Sequence, residues 1–213
     1  MLKLWLVRKF HSRLILRALL GFFALAFPLR AQKQDLTLSL GGFAGQTRGF
    51  SSPTTGRVDI SADKTFGVNY GYRLSHSNAF GLFGELEFVA IPTQRVTSTN
   101  AIVAQSYASL YVAPGVRVKF FPEARLSPWG ALGGGYALYQ DSVNLSNGQP
   151  TSNRFLNRGV FDIGGGLDFR LFRFIGFRTE VRDFYSGNPN LNVHLDLSTQ
   201  HNVVSSGGVV FHF

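Results

Sequence analysis

From about residue 35 onward, apolar and polar residues take turns along the chain at a period of two, in one short segment after another. In Phe177-Arg-Thr-Glu-Val-Arg-Asp-Phe-Tyr185, the charged Arg178, Glu180 and Arg182 alternate with Phe177, Thr179 and Val181. Such a period means extended backbone with one charged face and one mostly apolar face. Asp183 breaks the apolar face near the end of the segment and is placed at a membrane surface. Eight strands are expected, at about 35–44, 64–74, 79–90, 106–120, 129–140, 158–170, 174–185 and 201–213.

The connections between these segments are sorted by parity. Those after the first, third, fifth and seventh are long (45–63, 91–105, 141–157, 186–200) and rich in Ser, Thr, Asn, Gly and Pro. Those after the second, fourth and sixth are short: Ser75–Asn78, Phe121–Ser127 and Leu171–Arg173. A soluble meander has no physical reason for this sorting. A membrane barrel does, because its periplasmic turns are short and its extracellular loops long. The expectation is an all-β fold, an eight-stranded antiparallel up-and-down transmembrane β-barrel with both termini on the periplasmic side.

Residues 1–31 read differently. Lys3, Arg8, Lys9, Arg13 and Arg17 form a basic head, Ala18–Phe27 an apolar run, and Pro28-Leu-Arg-Ala31 a plausible cleavage region. This is the order of a secretory signal peptide, and the apolar run is about half of the ~20 residues a spanning helix needs. The expected organisation is a signal peptide, 1–31, followed by a barrel domain, 32–213. The leader holds six of the 21 Lys and Arg and none of the 12 acids, which leaves 15 bases against 12 acids. Nucleic-acid binding thereby loses its electrostatic support. The chain has no cysteine, so disulfide frameworks, thiolate metal sites and thiol nucleophiles are excluded.

The faces sort consistently. Phe66, Val68, Tyr70, Tyr72 and Leu74 oppose Asn69 and Arg73; Phe80, Leu82, Leu86 and Phe88 oppose Glu85 and Glu87. Val112, Val116, Val118 and Phe120 oppose Arg117 and Lys119; Phe161, Ile163, Leu167 and Phe169 oppose Asp162, Asp168 and Arg170. Aromatic residues gather near strand ends, as an interfacial girdle does. With the apolar face against lipid, Arg73, Arg117, Lys119, Arg170, Arg178 and Arg182 face Glu85, Glu87, Asp162, Asp168 and Glu180 in the lumen. That near balance suits enclosure, where an unpaired charge is costly. An eight-stranded lumen is just wide enough to be filled by side chains.

On these features the chain resembles the small eight-stranded outer-membrane barrels, the OmpA/OmpX-like β-barrel family, over about 35–213. The carriers are the loop parity, Arg178-x-Glu-x-Arg182 and the terminal Gly207-Gly-Val-Val-Phe-His-Phe213. In the last segment Val209, Phe211 and Phe213 resemble the C-terminal signal read by the barrel-assembly machinery, which implies transient contact with it during insertion. The resemblance implies the cell outer membrane, outer-membrane lipid as surroundings, and a structural or surface-interaction role without cofactor. With the chain ending at Phe213, it lends no support to an added peptidoglycan-binding role.

Three alternatives compete. His76-Ser-Asn-Ala79 is similar to the His-x-Ser-Asn of lipid A deacylases, with Glu85 or Glu87 as third member. Here, however, His and Ser are adjacent and lie in a turn, where the reach a catalytic triad needs is not expected. His194 and Asp196 alternate, yet two ligands do not make a metal site. Gly133–Gly135 and Gly164–Gly166 precede no helix and read as bends or close approaches rather than phosphate loops. A narrow ion channel and a soluble periplasmic ligand-binding barrel complete the set.

Overall fold

Alternation at Phe66, Val68, Tyr70, Tyr72 and Leu74 demands a backbone whose successive side chains oppose each other, and the chain is strand almost throughout. The computed structural model describes residues 33–52, 55–98, 102–142, 144–145, 147–148, 155–189 and 191–213. The expected leader, 1–31, lies outside the described residues. The strands are β1 (Gln34–Ser52), β2 (Gly56–His76), β3 (Phe80–Ser98), β4 (Ser106–Phe120), β5 (Leu126–Asp141), β6 (Phe155–Arg170), β7 (Ile175–Gly187), β8 (His194–Leu195) and β9 (Thr199–His212). No helix occurs among the described residues.

Each long strand pairs antiparallel with the next, β7 pairs with β9, and β9 returns to β1. The two-residue β8 lies against β1 outside this ring of eight, with Leu195 opposite Phe50. Closure leaves no unpaired edge, which is what a sheet in hydrocarbon requires. Asp35 faces His212 across the β1–β9 seam, so both strand termini share one end of the barrel, called lower below.

The outward face is apolar. Leu40, Phe66, Leu74, Val116, Leu132, Ile163 and Val181 all stand exposed, far more than a water-soluble surface tolerates in one continuous belt. On β2 the belt covers residues 66–74, close to the ~9–11 residues of a tilted membrane strand. Phe120, Phe121, Phe172 and Phe174 ring its lower rim, and Phe155 and Tyr185 stand towards the upper one. The protein is thus an outer-membrane β-barrel by fold, with the greasy face outside and the charges within.

The upper connections depart from expectation. Residues 45–63 are no loop: β1 and β2 run on to Ser52 and from Gly56, and β3 runs on to Ser98. The first upper connection is therefore as short as the turn at 77–79 and the second shrinks to 99–105, while those at 142–154 and 188–198 remain longer than any lower turn. The overhang has a polar outer face (Thr47 donates to Asp59 at 2.6 Å), because it stands in water beyond the belt. Its inner face keeps Phe50, Val58, Ile60 and Val96 buried. Register shifts between Gly41, Phe43 and Gln46 break the period of two there and hide the continuing strand.

Candidate functional site

Several of the large charged side chains enter the lumen where the strand opposite offers little bulk. Gly71 lies opposite Glu85, Gly164 opposite Arg182, and Gly166 opposite Glu180. A Cβ on Gly164 would stand 2.6 Å from Arg182 Cγ, and one on Gly166 would stand 2.8 Å from Trp129 Cζ2. The glycine run Gly164–Gly166 is thus the clearance that admits the charges.

The lower tier is built on Asp35 (β1), Arg117 and Lys119 (β4), Trp129 (β5), Asp168 (β6) and Arg178 (β7). Arg178 donates to both oxygens of Asp168, Nε to Oδ1 at 2.7 Å and Nη2 to Oδ2 at 2.9 Å, the planar fork that favours Arg over Lys. Lys119 Nζ adds a bond to Oδ2 at 2.7 Å, and Trp129 Nε1 one to Oδ1 at 3.1 Å. Arg117 Nη2 donates to both Asp35 oxygens at 2.8 Å. The guanidinium carbons of Arg178, Arg182 and Arg117 lie 5.0, 5.3 and 5.7 Å from the Trp129 ring, within cation–π range.

The upper tier of charge gathers around Arg182. Its nitrogens meet Asp162 at 2.6 Å, Glu85 at 2.9 Å, Glu87 at 3.3 Å and Glu180 at 3.4 Å. Asn69 joins the tiers: its amide donates to Glu87 at 2.5 Å and Glu85 at 3.2 Å, while its oxygen accepts from Arg117 at 3.3 Å and Arg178 at 3.4 Å.

Above the charges lies an aromatic and amide layer. Tyr111 stacks on Phe184 at 4.7 Å, and Tyr107 and Tyr111 meet Tyr139 edge-on. Gln94 donates to Tyr107 at 3.0 Å and accepts from Ser109 at 2.6 Å; Gln200 and Ser186 bond the Tyr139 hydroxyl. Above that, Phe43, Phe50, Val58, Ile60, Ile91 and Val96 form an apolar interior, closed by Val103, Leu191 and Leu195 from the upper connections. Ala104 N donates to Leu191 O at 3.1 Å, and Arg48 donates to Asn188 at 3.2 Å, fastening that cap.

Of the expected lumenal set, the plug brings together Glu85, Glu87, Arg117, Lys119, Asp162, Asp168, Arg178, Glu180 and Arg182. Arg73 and Arg170 stand outside it. They sit near the lower ends of β2 and β6, where the lumen opens. Arg170 bonds Glu123 at 3.4 Å and the Pro122 carbonyl at 2.5 Å instead; Arg73 is half-exposed and forms no ion pair with a described residue. Sequence reasoning missed Asp35, Asn69 and Trp129 as members. Asp35 was legible, since it shares a parity with Thr37 and Ser39 that opposes Leu36, Leu38 and Leu40. The enclosed count becomes six carboxyls to four cations, not the near balance expected.

The remaining candidates resolve locally. Ser77 closes its own turn with Phe80, and His76 contacts Glu123 at 3.4 Å, while Glu85 and Glu87 are buried in the lumen away from this turn. Asp196 accepts from Ser51 at 2.8 Å. Asp183 faces outward and meets His201 Nδ1 at 2.6 Å, beside a Tyr185–Thr199 hydrogen bond of 2.8 Å. Among the described residues no group of three or more His, Asp or Glu could hold a metal ion. Val209 projects from the outer face opposite Leu38, Phe211 lies opposite Leu36, and Phe213 follows the end of β9.

The fold matches solved outer-membrane barrels. The outer membrane protein OprG from Pseudomonas aeruginosa superposes with a TM-score of 0.59 at 14% identity, over 85% of this chain and 96% of that one. Neisserial surface protein A gives 0.51 at 10% identity, over 84% and 97%. No protein-family model and no curated protein matches the sequence.

Proposed function

We propose that the protein is an outer-membrane barrel of structural or surface-interaction role, which neither conducts solutes nor performs catalysis. The lower end then faces the periplasm, and the strand overhang with its cap stands outside the cell. The observation that carries this reading is the lumen itself, occupied in succession by charged, aromatic and apolar layers. Among the described residues the side chains that fill it are tied to one another, and filling of so narrow a lumen supports a barrel without a path of solute size. The exposed upper surface of β1, β2 and β3 is the part available for partners, since exposed, rigidly supported segments are where contact residues gather.

Single-channel recording in planar bilayers tests the first half: the expected trace shows no discrete steps, and regular steps would overturn the reading. Mass spectrometry of lipid A from cells with and without the protein tests the second; identical spectra are expected. Residues 1–31 fit an export signal, and Val209, Phe211 and Phe213 fit recognition by the assembly machinery. Removing Phe213 should lower the yield of heat-modifiable, membrane-inserted barrel, while leaving refolding from urea into detergent intact.

A further inference from the structure

The two tiers of the plug are oppositely unbalanced. The lower holds three cations (Arg117, Lys119, Arg178) against Asp35 and Asp168; the upper holds four carboxyls (Glu85, Glu87, Asp162, Glu180) against Arg182, with Arg117 Nε of the lower tier reaching Glu85 at 3.6 Å. Every one of these ten groups is buried. Uncompensated charge at such a place is expensive, so the folded barrel must acquire positive charge from outside its own side chains.

The space for it is present. A void of about 10 Å³, the size of one small sphere, is lined on its polar side by Ser39, Thr65, Ser206, Glu180 and Arg182. Glu87 is fully buried and its Oε1 has no hydrogen-bond partner; Asp162 is likewise buried with Oδ1 unpartnered. Gly67 also lines the void, and the space above its Cα is 3.9 Å from Glu87 Oε1. The unpartnered carboxylate oxygen thus lies beside a cavity whose walls carry three hydroxyls, a carboxylate and a guanidinium, together with the apolar side chains of Val89, Phe184 and Val204.

We propose that this cavity in the upper tier is a binding site for a small monovalent cation, an alkali ion or a proton, which completes the charge balance of the plug. The carboxyls are dispersed around Arg182 rather than converging as multivalent metal ligands do, and three hydroxyl-bearing residues line part of the void; both favour a weakly charged, compact ion. Glu180 and Arg182 from β7 line the site; Glu85 and Glu87 from β3 and Asp162 from β6 are joined to it through Arg182, and Asn69 from β2 through Glu87, with Arg117, Arg178 and Trp129 beyond them. This site is independent of whether the barrel binds a partner at its surface, and its test does not involve one.

The experiment is equilibrium urea unfolding of the full chain in detergent micelles. It is performed in sodium chloride and in choline chloride at equal ionic strength, each in weakly acidic and weakly alkaline buffer. An alkali-ion site predicts that the folding constant rises about tenfold per tenfold rise in sodium for each ion bound at saturation. A proton at the same place predicts no difference between sodium and choline but about a tenfold fall per unit rise in pH for each proton held. Glu87→Gln removes one enclosed charge and should weaken either dependence, whereas Glu123→Gln at the exposed rim should retain it. Identical unfolding curves in both salts and both buffers, or an undiminished dependence in Glu87→Gln, overturn the proposal.

Discussion

Replacing Asp168 by Ala removes the acceptor of four hydrogen bonds at once: two from Arg178, one from Lys119 and one from Trp129. Lys119 and Arg178 are then left buried together, with Asp35 at 3.8 Å from Arg178 as the nearest remaining carboxylate. Breaking a buried pair by deleting one partner costs about 3–5 kcal/mol, roughly two to nearly four orders of magnitude in the unfolding constant. A solvated pair would cost under about 1 kcal/mol. Urea unfolding from lipid vesicles measures the difference, and Trp129 reports it directly. The chain has two tryptophans, and the other, Trp5, lies in the expected leader. The triple variant Lys119→Met, Asp168→Leu, Arg178→Met leaves Arg117 and Asp35 paired and should recover most of the loss, because apolar replacement of a whole buried ion cluster is often neutral or stabilising. A loss of about 1 kcal/mol or less for Asp168→Ala would show that water reaches this tier, and the enclosed-plug argument would fail.

Gly166→Val drives a branched side chain at the Trp129 ring and should cost about 1–3 kcal/mol by overpacking, whereas Gly159→Ala, whose added Cβ meets no atom within 4 Å, should leave the unfolding midpoint unchanged. Spin labels at Leu132 and Ile163 should be relaxed by oxygen dissolved in the bilayer and protected from a water-soluble nickel reagent; the opposite result at both would place the outward face in water. His201→Ala deletes a pair whose imidazole is 66% exposed, so its stability cost, read by the same unfolding assay, should stay below about 1 kcal/mol.

The alternation of Arg178, Glu180 and Arg182 with Phe177, Thr179 and Val181 was enough to establish strand, because only extended backbone throws consecutive side chains to opposite sides. Repeated in Glu85–Glu87, Arg117–Lys119 and Asp162–Asp168, it was enough to place the charges on one face and to call for lipid on the other. Strand lengths in β1, β2 and β3 were not legible, since bulges at Gly41 and Phe43 break the period and a polar outer face above the membrane looks like loop. Nor was membership of the plug. Whether a lumen-facing residue joins depends on its height, and height depends on register and tilt around a closed ring, which no single segment encodes. That geometry drops Arg73 and Arg170 to the rim, raises Asp35 into the centre beside Arg117, and gathers four carboxyls around Arg182. Periodicity is a local property and survives in the sequence; the pairing of side chains from seven different strands arises only when the sheet closes.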